Sequence, residues 1–87
     1  MRYLAELYLP ASTALAEVAG QARAGAEAAA RTGARIRFLQ AIFVPQDESC
    51  FVVYLASSPA EVSTAGSLAG LVFDRIVPAI CEPAQDG

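Results

Sequence analysis

The order of hydrophobic periods along the chain constrains its fold more than any other feature of the sequence. Apolar residues alternate with a period of two over residues 2–9, which predicts a β-strand. A helical period follows, with Ser12 or Thr13 as the expected N-cap and an end near Thr32, where Gly33 stops the helix. The chain therefore begins with a strand and a long helix, each with an apolar face.

A second pair of alternating segments predicts a β-hairpin after this helix. Residues 35–44 and 49–56 carry apolar side chains on both faces, and residues 45–48 between them have the composition of a turn. Strict alternation places Gln40 on the same face as Phe38. Gln40 is therefore predicted to be a polar residue among large apolar neighbours.

A helix-start signal and a proline define the last two elements. Ser58 and Glu61, with a proline at the first helical position between them, match a capping box, and Gly70 ends the short helix that follows. Residues 74–81 alternate again. Pro78 marks this strand as an edge of the sheet, because proline cannot donate a ladder hydrogen bond.

These six elements predict an α+β fold, a ferredoxin-like split βαββαβ sandwich. We expect a single domain over residues 1–87, with residues 82–87 as a loose tail. The expected sheet is four-stranded and antiparallel in the order fourth, first, third, second strand, with two helices on one face. Cys50 and Cys81 then lie on strands separated by the first strand, about 10 Å apart, which is too far for a disulfide.

The uncovered face of this sheet predicts a partner. Hydrophobic residues make up 55% of the chain, and every predicted strand is apolar on both faces. An exposed apolar patch larger than a few hundred Å² is rare on a soluble monomer. We therefore expect a homodimer that packs through the sheet face with two-fold symmetry. The alternative is that this face borders a pocket for a small molecule.

The composition excludes several classes of function. The chain has no histidine and all six of its cationic side chains are arginine, so an imidazole base, a Ser–His pair and a lysine Schiff base are excluded. A net charge of −3 disfavours nucleic-acid binding. No apolar stretch approaches the roughly 18 residues that cross a membrane. With no signal-peptide pattern and no CxxC motif, a cytoplasmic location is expected.

Four residues are candidates for contact with a ligand: Glu6, Gln40, Cys50 and Tyr54. Glu6 could hold a cation, although an ion pair with an arginine across the strands is the favoured interpretation. Gln40 could hydrogen-bond a ligand in an apolar cleft or be satisfied by the backbone. Tyr54 suits a pocket wall or an interface. Cys50 could ligate a soft metal, but a buried free cysteine is usually a small core residue. These residues alone predict neither a catalytic residue nor a metal site.

Several short segments form a recognisable pattern when they are taken together. They are residues 3–6, 37–45, 47–48, 50–51, 53–54 and 73–76, with Gly70. This pattern resembles a family of short ferredoxin-like proteins, catalogued as a domain of unknown function, that includes a nickel-binding dimer. The resemblance implies the same fold, a dimer and nickel as the metal. The family pattern has an aromatic residue, leucine and histidine on the second strand, where this chain has Phe38, Leu39 and Gln40.

Gln40 at the histidine position changes what this resemblance implies. An amide nitrogen has no available lone pair, and an amide oxygen is a weak ligand for nickel. We therefore expect a non-enzymatic dimeric ferredoxin-like protein that needs no cofactor and whose family metal role is lost or altered. The alternative is a cofactor-independent monooxygenase or isomerase of the dimeric α/β-barrel type. Such an enzyme would act on a small apolar substrate with Gln40, Tyr54 and Glu6 as its polar groups.

Overall fold

The strands and helices follow the predicted β-α-β-β-α-β order. The computed structural model describes residues 1–82, and its elements are β1 (Arg2–Tyr8), α1 (Leu15–Arg31), β2 (Ile36–Val44), a 3-10 turn (Pro45–Asp47), β3 (Ser49–Ala56), α2 (Pro59–Ala69) and β4 (Arg75–Ala79). The strands form one antiparallel sheet in the order β2-β3-β1-β4, and both helices pack on one face. The ferredoxin-like α+β fold is therefore confirmed, with β4 at an edge. Of the predicted tail, residues 83–87 lie outside the described residues.

The core lies between the helices and the face of the sheet that they cover. The central strands β1 and β3 supply Ala5, Val52 and Tyr54, which are fully buried. The buried stripe of α1 consists mostly of alanine, including Ala22 and Ala29. Because alanine extends little from the backbone, α1 lies close to the sheet. Neither helix among the described residues has the length and apolar character to cross a membrane.

The two helices touch through a glycine. A Cβ atom added at Gly25 of α1 would lie 2.7 Å from the Cβ of Ala69 and 3.0 Å from its amide nitrogen, and it would also overlap the carbonyl oxygen of Ala65. Contacts this short do not occur between real side chains, so the backbones of α1 and α2 approach each other only because residue 25 has no side chain. The helix layer therefore depends on this position.

The N-terminus of α1 differs from the prediction. Ser12 and Thr13 were expected as N-caps, but Ala14 occupies that position and provides no side-chain hydrogen bond. The Thr13 amide instead donates to the carbonyl oxygen of Pro10 at 2.9 Å. These residues close a turn before the helix, so the helix begins only at Leu15. The end of α1 agrees with the prediction, since its last residue is followed by Thr32 as the C-cap.

A β-bulge in β2 changes the face on which its second half lies. Phe38 pairs with Tyr54 and Gln40 pairs with Val53, so Leu39 is an extra residue without a partner. One extra residue reverses the alternation of every residue that follows it. The prediction that Gln40 shares a face with Phe38 is therefore wrong: Gln40 lies on the face away from the helices.

The predicted serine N-cap of α2 is confirmed, whereas the Glu61 side chain reaches beyond the N-cap residue to earlier parts of the chain. The Oγ of Ser58 accepts a hydrogen bond from the Glu61 amide at 3.4 Å. The Glu61 carboxylate accepts from the hydroxyl and the amide of Ser57, and also from the Arg35 amide at 2.7 Å. Glu61 therefore ties the start of α2 to the residue before β2.

This carboxylate should make the stability of the protein depend on pH. Hydrogen bonds from the Ser57 hydroxyl and then from the Arg35 amide lower the pKa of Glu61 from its ordinary value of 4.5. A lowered folded pKa means that the stabilisation is fully present above 4.5 and is lost as the pH falls through the folded value. We expect the difference in unfolding free energy between the wild type and Glu61→Gln to shrink on acidification, as measured by urea unfolding at a series of pH values.

The matched control for this prediction is Glu27→Gln on the exposed side of α1. It removes one carboxylate without touching the start of α2. If acidification changed the unfolding free energy of both variants by the same amount relative to the wild type, the prediction that Glu61 makes stability depend on pH would be wrong.

Candidate ligand cleft on the open sheet face

The sheet face away from the helices, named here the open face, is an ordered grid of side chains. Cross-strand pairing places its residues in rows that run from β2 through β3 and β1 to β4. The rows are Arg37–Leu55–Arg2–Ala79, Gln40–Val53–Leu4–Val77, Ile42–Phe51–Glu6–Arg75 and Val44–Ser49–Tyr8. The two middle rows thus carry most of the large apolar groups, and the first row is cationic.

The centre of the open face is apolar and already crowded. Val53 is only 4% exposed, although no helix covers it, and its neighbours Leu4, Phe51 and Leu55 are half-buried. Val53 itself is therefore largely shielded from water, whereas its half-buried neighbours keep apolar surface exposed. Ile42 stands at its β2 edge with 45% of its surface exposed.

The two charged groups in the middle of the face neutralise each other. Glu6 Oε1 lies 3.0 Å from Arg75 Nε, and the two residues are direct cross-strand partners. The predicted ion pair between Glu6 and an arginine on a neighbouring strand is therefore confirmed. This pairing occupies the carboxylate of Glu6.

A cleft of about 490 Å³ opens beside Gln40 on this face. It is lined by Arg2, Leu39, Gln40, Val53, Cys81 and Glu82. Leu39 and Val53 form apolar walls, whereas Arg2, Gln40 and Glu82 bring a cation, an amide and a carboxylate. Volumes of this size are typical of small-molecule sites. Of the four candidate residues, Gln40 is the one that lines this cleft.

Tyr54 and Cys50 lie on the other side of the sheet, inside the core. Both are fully buried, and the ring of Tyr54 makes edge contacts with Phe38 and Phe73 at centroid distances of 6.3 and 6.1 Å. Burial raises the pKa of the Cys50 thiol. Burial, and then the nearby Cys50, raise the pKa of Tyr54 to about 12. Both groups are therefore neutral at physiological pH, and neither shares a site with Gln40.

The Tyr54 hydroxyl should cost the protein stability. It is buried, and no described residue offers it a hydrogen bond. An unpaired buried hydroxyl is destabilising, because water solvates the same group in the unfolded chain. Tyr54→Phe is therefore expected to raise the free energy of unfolding by about 1 kcal/mol in urea titrations.

Tyr8 provides the control, because its side chain is 60% exposed on the open face. Tyr8→Phe should change stability by less than about 0.5 kcal/mol. A loss of stability in Tyr54→Phe would show that its hydroxyl has a partner after all.

The residues available for nickel do not fit a nickel site. Gln40 offers only an amide, and its cleft adds two further possible donors, Cys81 and Glu82. Cys50 lies on the opposite side of the sheet, and Glu6 is paired with Arg75. Gln40 and Glu6 are separated by two strand spacings and one row, roughly 12 Å between Cα atoms. Among residues 1–82 no group of three or more histidine, cysteine, aspartate or glutamate side chains could hold a metal ion together.

Sequence reasoning missed most of the residues that line the cleft. Arg2 belonged to no motif, and Leu39 belonged only to the second-strand pattern of the resembled family. Cys81 and Glu82 follow β4, which is the edge strand opposite the strand of Gln40. The row that joins Gln40 to Val53 could have indicated the cleft, but it depends on the bulge at Leu39. A bulge of this kind has no strong sequence signal in an apolar strand.

Comparison with known proteins shows the fold and nothing finer. No protein-family model matches the chain, and neither does any curated protein. The crystal structure of SCO4226 from Streptomyces coelicolor A3(2) is similar, with a TM-score of 0.74 and 18% sequence identity. The match covers 95% of this chain and 100% of that protein. At this identity the similarity establishes a shared ferredoxin-like architecture over almost the whole chain.

Proposed function

We propose that this protein is a non-catalytic, homodimeric ferredoxin-like protein that holds a small molecule on the open face. The observation that carries the proposal is the apolar surface that this face still exposes, at Ile42 and at the half-buried residues Leu4, Phe51 and Leu55. Two copies that stack through it would remove this surface from water, the usual driving force of association. A closed two-fold arrangement uses the same patch on both copies.

The polar residues of the open face are compatible with such an interface. The ion pair between Glu6 and Arg75 places no unpaired charge in the middle rows. Arg2 and Arg37 stand in the end row of the grid, beside the apolar middle rows. A charged rim around an apolar centre is the common anatomy of protein interfaces.

Native mass spectrometry of the untagged protein, with metal analysis of the same sample, tests this proposal. We expect a dimer over a wide range of protein concentrations, without stoichiometric nickel. A monomer at all concentrations would contradict the proposed interface. One nickel per chain would contradict the loss of the metal role, since the donor set around Gln40 does not fit that ion.

We also propose a cytoplasmic location. Cys50 is buried and Cys81 is exposed, and both are free thiols. An exposed free thiol is most compatible with a reducing compartment. Cell fractionation would test this proposal, and recovery of the protein outside the cytoplasm would contradict it.

The enzyme alternative has one observation in its favour, the cleft that reaches Gln40. Its other two groups are not available there, because Tyr54 lies in the core and Glu6 is paired with Arg75. Incubation of the protein in air with a small molecule that it binds distinguishes a binding protein from an enzyme. Recovery of the molecule with its mass and its chromatographic retention unchanged supports binding. A product of altered mass supports a monooxygenase, and a product of equal mass but altered retention supports an isomerase.

A further inference from the structure

We propose that the cleft beside Gln40 binds the zwitterionic form of an apolar α-amino acid. This inference rests on the proposed function of the open face and names the chemical class of its ligand. The observation behind it is the placement of one cation and one anion at the same apolar cleft: Arg2 at the start of β1 and Glu82 beyond β4.

Among residues 1–82, neither charge of the cleft takes part in an ion pair. Arg2 and Glu82 are both exposed, and the one ion pair among residues 1–82 joins Arg75 to Glu6. A guanidinium binds a carboxylate through two parallel hydrogen bonds, and a carboxylate accepts from an ammonium group. Arg2 is therefore assigned to the carboxylate of the amino acid and Glu82 to its ammonium group.

The rest of the cleft suits the apolar part of such a ligand. Leu39 and Val53 present aliphatic surface, and the Gln40 amide can donate to a carboxylate or accept from an ammonium group. Arg37 lies in the same row as Arg2, on the far side of Leu55, and adds positive potential at the carboxylate end. The volume of about 490 Å³ lies within the usual range for small-molecule sites.

Ligands with a single charge fit this cleft less well. A simple aliphatic carboxylate would be held by Arg2 but would leave Glu82 without a partner and close to a like charge. An aliphatic amine would pair with Glu82 and leave Arg2 uncompensated. A zwitterion satisfies both residues, so the cleft should discriminate between these three classes.

Ligand binding and dimerisation should strengthen each other. In one chain the two charges face water, where exposed ion pairs contribute little. A second copy stacked on the open face would exclude water from the cleft and strengthen both pairs. By linkage, a ligand that binds the dimer more tightly also stabilises the dimer.

Titration of the full chain with L-leucine, monitored by NMR chemical shifts of the Val53 methyls and the Gln40 side-chain amide, tests the inference. The matched probes are 4-methylpentanoate, which lacks the ammonium group, and 3-methylbutylamine, which lacks the carboxylate. We expect L-leucine to bind at least about tenfold more tightly than either probe. Equal dissociation constants for all three molecules, fitted from the concentration dependence of the shifts, would overturn the zwitterion assignment.

Two variants and a control assign the charges. Arg2→Gln and Glu82→Gln should each weaken L-leucine binding by about tenfold while leaving the folded spectrum intact, because both side chains are exposed. Arg31→Gln removes an arginine from the end of α1, away from the cleft, and should leave binding unchanged. Undiminished binding in either cleft variant would overturn the inference.

The oligomeric state, measured in the same samples, separates the two proposals. A dimer whose dissociation constant falls when L-leucine is added supports both. A dimer that does not bind L-leucine overturns the ligand and leaves the interface standing. A monomer that binds L-leucine overturns the interface and the linkage, and a monomer that binds nothing overturns both proposals.

Discussion

Replacing Gly25 with alanine should destabilise the protein by about 2–3 kcal/mol, because the added methyl group has no room between the helices. Its Cβ would lie 2.7 Å from the Cβ of Ala69 and overlap the carbonyl oxygen of Ala65. Those atoms belong to the backbone and to a short side chain of α2, so none of them can rotate away. The helices must separate instead, and the core beneath them loses contact. Urea unfolding followed by circular dichroism measures the change.

Gly20 provides a matched control on the same helix. A Cβ at Gly20 meets nothing within 4 Å, and alanine is the better helix former by about 0.5–1 kcal/mol. Gly20→Ala should therefore stabilise the protein by about that amount. Both variants gain the same helix propensity, so the difference between them isolates the clash. If Gly25→Ala were as stable as Gly20→Ala, the close approach of α1 and α2 would be wrong.

The sequence was sufficient for the order of the elements because each depends on a local signal. Gly70 ends α2 with a positive φ of 73° as the C-cap, and Ser58 begins that helix, both as the pattern predicts. The predicted start of α1 was wrong because two residues with capping side chains, Ser12 and Thr13, precede the helix. Side-chain preference alone could not distinguish a cap from a turn closed by backbone hydrogen bonds.

The candidate site could be predicted only in part, because it depends on contacts between distant segments. Glu6 was correctly expected to pair with an arginine, since a carboxylate in an apolar strand needs a partner. Gln40 was placed on the wrong face because one unpaired residue, Leu39, reverses the alternation. The contribution of Glu82 could not be predicted at all, because it comes from chain that follows the opposite edge strand.

Replacing Ile42 with glutamate should convert the proposed dimer into a monomer. Ile42 is 45% exposed on the open face, at the end of the row that contains Phe51 and Glu6. In one chain the new carboxylate can reach water, so folding should be little affected. Two-fold symmetry places two such carboxylates in each interface, and an unpaired buried charge costs several kcal/mol. We expect the dissociation constant of the dimer to rise by at least about a hundredfold in sedimentation equilibrium.

Leu68→Glu is the matched control because Leu68 is similarly exposed, at 52%, but lies on α2 on the helix side of the sheet. It introduces the same charge and removes a comparable apolar surface, yet it should leave the dimer intact. If Leu68→Glu dissociated the dimer and Ile42→Glu did not, association would proceed through the helices, and the open face would be free for ligand alone. If both variants remained dimeric, a different surface would hold the two copies together. Dissociation of Ile42→Glu alone is the result that the apolar grid around Val53 predicts.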